Sequence, residues 1–123
     1  MATGDQTRRR RVLIVEDEYL AALAIEGLVH AHGYDVVGPV SSVEGGLDRI
    51  RECEIDAALL DINLRGRLVT PIAKALADRS IPYILVTAYE HAWFAEPVLR
   101  DVPCVGKNSM EDELPSLMAR VFS

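Results

Sequence analysis

The sequence predicts an α/β domain in which five parallel strands form one sheet between two layers of helices. Three observations predict it. Short apolar runs alternate five times with segments of helical periodicity. The runs are apolar at successive positions, so both faces of each strand are buried, as in a parallel sheet covered by helices on both sides. Four runs stop at polar residues of different kinds: residues 12–15 at Glu16 and Asp17, 57–60 at Asp61, 83–86 at Thr87, and 103–106 at Lys107. In open α/β sheets the carboxyl ends of the strands share the edge where ligands bind.

Residues 1–10 read as a disordered tail, and the arginines at 8–11 form its basic run. A solvated tail explains that run without a nucleic-acid or membrane partner. After the first strand, Leu20, Leu23, Ala24, Gly27, Leu28 and Ala31 recur at helical spacing and predict an inward face, with Gly33 at the left-handed cap position. The second strand covers 35–40 and is expected to end at Gly38-Pro39 and the serines. Ser42 can cap a helix that turns Val43, Leu47 and Ile50 inward. The third strand leads into a polar loop over 63–69. Thr70-Pro71 then reads as a hydroxyl cap followed by proline in the first turn. Ile72, Ala73, Leu76 and Ala77 are expected to face the core.

After Thr87, residues 88–99 look helical, but Pro97 should stop or bend the helix. Residues 109–122 carry the inward set Leu114, Leu117, Met118 and Val121, and Pro115 implies a late start or a kink. Right-handed crossovers leave few topologies for five such units. The expected one is the flavodoxin-like (βα)5 doubly wound parallel sheet, strand order 2-1-3-4-5.

The chain has 123 residues, enough for one core, with half of them apolar and a net charge of −6. That balance argues against nucleic acid as a general partner. No apolar stretch approaches a membrane span, and no signal-peptide core is present, so a cytoplasmic protein is expected. Cys53 and Cys104 have neither metal-ligand nor disulfide spacing. Cys104, inside an apolar run, is expected to be a buried thiol.

In the expected strand order the first and third strands are neighbours, so Glu16, Asp17 and Asp61 fall together. Three close carboxylates repel one another, and a hard divalent ion such as Mg2+ relieves the repulsion. A carboxylate can also act as a nucleophile and form an aspartyl phosphate. Asp61 stands alone at its strand end and is the candidate nucleophile. Lys107 offers a point charge for a phosphoryl oxygen and Thr87 a hydrogen bond. Each residue alone has a plainer reading: Glu16 and Asp17 as helix-start acids, Asp61 as a loop carboxylate. Their common place at corresponding strand ends favours a shared site.

With these residues in view, residues 11–123 resemble the receiver domain of bacterial two-component response regulators. Val-Leu-Ile-Val-Glu16-Asp17-Glu is similar to the family's acidic opening, Leu-Leu-Asp61-Ile-Asn63-Leu to its phosphoacceptor segment, Val-Thr87-Ala to its hydroxyl segment and Gly-Lys107 to its lysine segment. The resemblance implies that Asp61 takes a phosphoryl group from a histidine kinase or histidine phosphotransfer protein. It implies Mg2+ held by Asp17, Asp61 and the Asn63 carbonyl, with Glu16 acting through water. The segments around Pro71–Pro82 and Val86-Thr87-Ala88-Tyr89 resemble a stand-alone subgroup with a Phe-Ala-Thr-Gly-Tyr-type motif, common in alphaproteobacteria.

Two departures stand out. Asn108 follows the lysine where the family usually has proline, and Cys104 stands where the family has a switching tyrosine or phenylalanine. Tyr89 can substitute as the moving aromatic or can simply pack. Trp93, four residues on, can join it in an output surface or pack against the sheet. The expected function is therefore a single-domain response regulator that signals by protein contact, with no DNA-binding output domain and no separate substrate to turn over. The downstream partner, the kinase and any homodimer stay open. The rivals are a degenerate receiver that only docks and a small aspartyl phosphatase. Against the phosphatase, Asn63 stands where such enzymes carry a second aspartate. A flavin protein of the same fold is disfavoured because the first strand leads to carboxylates rather than to a phosphate-cradling loop.

Overall fold

The structure, a computed structural model, describes residues 9–88 and 96–123. Its elements are β1 (Arg11–Val15), α1 (Tyr19–Ala31), β2 (Asp35–Val40), α2 (Val43–Glu52), β3 (Ala57–Asp61), β4 (Asn63–Leu64), β5 (Arg67–Leu68), α3 (Thr70–Asp78), β6 (Tyr83–Thr87), α4 (Pro97–Arg100), β7 (Cys104–Gly106), a 3-10 turn (Lys107–Ser109) and α5 (Met110–Val121). The main sheet has the order β2-β1-β3-β6-β7 and all its pairs are parallel. Because β4 and β5 lie outside it, this is the expected 2-1-3-4-5 order.

Successive strand residues point to opposite faces, and the core divides accordingly. Leu13, Val15, Ala58, Leu60 and Leu85 pack with Val43 and Ile50 of α2 and with Ile72, Ala73 and Leu76 of α3. Val12, Ile14, Leu59, Ile84 and Val86 pack with Ile25 and Val29 of α1 and with Met110, Leu114 and Met118 of α5. Each such aliphatic side chain contributes about 1.5–3 kcal/mol when fully buried. Ser42 caps α2, its Oγ accepting from the Gly45 N–H at 3.0 Å. Gly33, at φ +90°, closes α1 as expected, and the Tyr34 N–H reaches back to the Val29 carbonyl.

Several local expectations are corrected. The inward residues of α1 are Ala22, Ile25 and Val29, whereas Leu20 is 74% and Leu23 45% exposed. Both stripes fit a 3.6-residue period, so periodicity alone could not choose between them. β2 has the expected bounds, Asp35–Val40, and runs through Gly38-Pro39, a cis peptide bond with Gly38 at φ +97°. Thr70 is not a cap: Val69 holds that position, and the buried Thr70 Oγ1 has no hydrogen-bond partner among the described residues. Ala77 is exposed, one residue past the buried stripe of α3. Pro97 stands in the first turn of α4, which suits its missing N–H. Pro115 lies inside α5, which begins at Met110, so the helix does not start late. Cys104 is exposed, not buried, because β7 is an edge strand and it is Val105 that turns into the core. The polar loop after Asp61 contains a two-residue hairpin, β4–β5, turning at Arg65 (φ +54°) and Gly66 (φ +88°). Tyr89 and Trp93, with the helix expected around them, lie outside the described residues.

Candidate functional site

Strand register assembles the site. Val15 pairs with Leu60, so the residues that follow, Glu16 and Asp61, leave the sheet side by side. Asp61 pairs with Val86, and Thr87 pairs with Gly106, which brings Lys107 to the same edge. A cavity of about 310 Å³ is lined by Asp61, Asn63, Thr87 and Lys107, with Ile62, Leu68 and Ala88 completing its wall. Four predicted site residues thus border one space.

Glu16, Asp17 and Asp61 each offer a carboxylate oxygen, and these oxygens lie within 4.8 Å of one another. Glu16 and Asp61 are only 2% and 8% exposed, and Thr87 is equally buried. The acids do not cap α1 through their side chains. Its N-cap is Glu18, and the Glu16 Oε2 accepts from the Glu18 N–H at 3.0 Å. Asp17 is tied elsewhere: its Oδ2 accepts from the Arg65 N–H at 3.0 Å. The Asn63 side chain accepts from the Gly66 N–H at 2.8 Å, which closes the hairpin turn.

Lys107 crosses from the far side of the sheet edge. Its Nζ donates to Glu16 Oε2 at 3.1 Å and stands 3.6 Å from both Glu18 Oε1 and Asp61 Oδ2. One ammonium therefore faces several carboxylates. Burial, followed by the Glu16 carboxylate, pushes the Asp61 pKa up from 3.8 to about 7, with Lys107 opposing. Burial lowers the Lys107 pKa, but hydrogen bonding to Glu16 and the charges of Asp61, Glu16 and Glu18 outweigh it, so the net shift is upward. Negative charge is in excess at this edge. The buried Glu16 Oε1 lies 3.1 Å from the Lys107 Nζ as well, so the same ammonium faces both oxygens of that carboxylate, and the three acids fit a hard divalent cation with oxygen ligands.

Comparison with known proteins agrees. The chain is 38% identical to SdrG from Pseudomonas melonis Fr1 in its BeF3-activated conformation, over 89% of this chain and 92% of that one, with a TM-score of 0.75. It is 35% identical to SdrG from Sphingomonas melonis Fr1, over 89% and 97% of the two chains, with a TM-score of 0.72. Among curated proteins, it is 32% identical over 85 residues to the DNA-binding response regulator MtrA of Mycolicibacterium smegmatis, 67% of this chain and 36% of that protein. This chain belongs to the response-regulator receiver family. It spans about two fifths of the length of the curated relatives it matches, which include the transcriptional regulatory protein PdtaR of Mycobacterium tuberculosis, 26% identical over 70% of this chain and 42% of that protein. No family model matches the chain.

The receiver domain of a Pseudomonas aeruginosa sensor histidine kinase, 21% identical over 94% of this chain and 98% of that one, shares the fold at a TM-score of 0.79. That protein holds a magnesium ion in its active-site cleft. A receiver is a phosphoacceptor signalling module. Among the described residues, no helix is long and apolar enough to cross a membrane.

Sequence reasoning missed the hairpin and the tie it makes to Asp17. The signal was available in Arg65-Gly66, a two-residue turn between Leu64 and Arg67, but it is weaker than the Asn-Gly that marks such turns. Glu18 was also passed over, although it faces Lys107.

Proposed function

We propose that this protein is a single-domain response regulator in which Asp61 accepts a phosphoryl group from a histidine kinase or histidine phosphotransfer protein. The observation that carries the proposal is the clustering of Glu16, Asp17 and Asp61 beside Lys107. Asp17, Asp61 and the Asn63 carbonyl would hold Mg2+, with Glu16 acting through water. When bound, the ion neutralises the carboxylates and draws charge from the phosphoryl oxygens.

The chemistry then falls to the chain. An Asp61 oxygen attacks phosphorus, a P–O bond forms, and the P–N bond to the donor imidazole breaks with its electron pair leaving on nitrogen. Lys107, released from Asp61, pairs with one phosphoryl oxygen, and the Thr87 hydroxyl donates to another. Residues 11–123 form the receiver and residues 1–10 a tail, and the reaction stays on the protein itself rather than turning over an external substrate. The added charge of about −2 reorganises a protein-binding surface that includes Tyr89, Trp93 and Cys104. Because Cys104 replaces the usual aromatic, Tyr89 takes the moving role. The kinship with SdrG and the Thr87-Ala88-Tyr89 segment support membership of the stand-alone subgroup, acting in the cytoplasm without nucleic acid or membrane.

Intact mass after incubation with Mg2+ and acetyl phosphate tests the reading. One added phosphoryl group on the wild type and none on Asp61→Asn is expected. Addition to both would exclude Asp61 as acceptor. No addition to either, with the cognate kinase present as well, would favour a constitutive docking module.

A further inference from the structure

The β4–β5 hairpin is tied at three points. Asn63 Oδ1 accepts from the Gly66 N–H, Asp17 Oδ2 accepts from the Arg65 N–H, and Arg67 pairs with Glu44 on α2. Between these ties Arg65 is held at φ +54°, a left-handed conformation that residues with a Cβ rarely adopt. Two consecutive left-handed residues define the primed turn of a two-residue hairpin. Gly66 meets nothing within 4 Å at its Cβ direction, so its glycine serves backbone conformation and not packing.

We propose that the Arg65–Gly66 turn is a positioning element for metal binding, acting through the Arg65 main-chain N–H on Asp17. The inference rests on the reading of Asp17 as a metal ligand. Asp17 lies just beyond the end of β1, is only half-buried, and accepts at Oδ2 from the Arg65 N–H. A donor on one oxygen fixes the carboxylate and leaves the second oxygen free to ligate. Such outer partners orient metal ligands, and their loss typically weakens metal affinity by about 10–100-fold. The Arg65 side chain is not needed for this, because the donor belongs to the backbone.

Two substitutions separate backbone from side chain. Gly66→Val places a β-branched residue at φ +88° and disrupts the turn without a clash. Arg65→Asn keeps the N–H and suits the left-handed conformation. The readout is Mg2+ affinity by isothermal titration calorimetry, with no phosphoryl donor present, and urea denaturation in EDTA confirms that each variant is folded. The expected result is wild-type affinity in Arg65→Asn and about tenfold weaker binding in Gly66→Val. Equal affinity in all three proteins overturns the inference and leaves the phosphoacceptor reading standing. Weakened binding in Arg65→Asn matching that of Gly66→Val also overturns it, by assigning the effect to the side chain. A wild type that binds no Mg2+ overturns both.

Discussion

Replacing Asp61 by asparagine should stabilise the metal-free protein. Asp61 is 8% exposed, beside the buried Glu16, and its pKa is raised from 3.8 to about 7. Between those two values the native state holds a proton that the unfolded chain has released. Stability therefore falls as pH rises through that window and levels off above about 7. At 1.36 kcal/mol per pKa unit, the whole displacement corresponds to roughly 4 kcal/mol. Charge is shared within the cluster and Lys107 loses a partner in the variant, so about half of that, ~2 kcal/mol, is the expected gain. For a domain of this size, that is a rise in Tm of roughly 8 °C. Thermal unfolding in EDTA should show the gap at pH 8 and its closure near pH 4. Saturating Mg2+ should reverse the order by stabilising the wild type selectively. An Asp61→Asn protein no more stable than wild type at pH 8, or a gap independent of pH, would refute the electrostatic reasoning.

Three further outcomes are expected. Lys107→Met should bind Mg2+ about tenfold more tightly, roughly 1.4 kcal/mol by calorimetry, because the ammonium competes for the same carboxylates, while its phosphorylation-induced amide shifts should be smaller than those of the wild type. Unchanged affinity would mean that Lys107 is not the counter-ion of this cluster. Ser42→Ala should cost about 1 kcal/mol in urea denaturation through loss of the α2 cap, with little effect on Mg2+ binding. A maleimide should modify Cys104 before the partly buried Cys53, with the fast phase absent in Cys104→Ser, and a single slow phase in the wild type would contradict the exposed position on β7.

The sheet was legible because its signals are redundant. Each central strand is apolar on both faces, and each of the four at the site ends in a residue that has no reason to lie in a core. Register then follows from parallel pairing, so Asp61 and Glu16 were placed together without any contact being known. The phase of α1 was not legible, since Leu20 and Leu23 mimic an inward stripe as well as Ile25 and Val29 do. Cys104 was misplaced because a three-residue edge strand exposes one face that a central strand would bury. The hairpin escaped notice because its stability comes from Asn63, Asp17 and Glu44, residues distant in sequence or already given other roles. The tie between Arg65 and Asp17 spans 48 positions and leaves no local pattern.

The most direct test of the central claim is to find where the phosphoryl group sits. Wild-type protein phosphorylated with Mg2+ present would be reduced with borohydride, which converts an aspartyl phosphate to homoserine, and its peptides mapped by mass. Homoserine at position 61 alone is the expected result. Homoserine at position 17, or an unmodified position 61 in protein that carries the phosphoryl mass, would contradict the assignment.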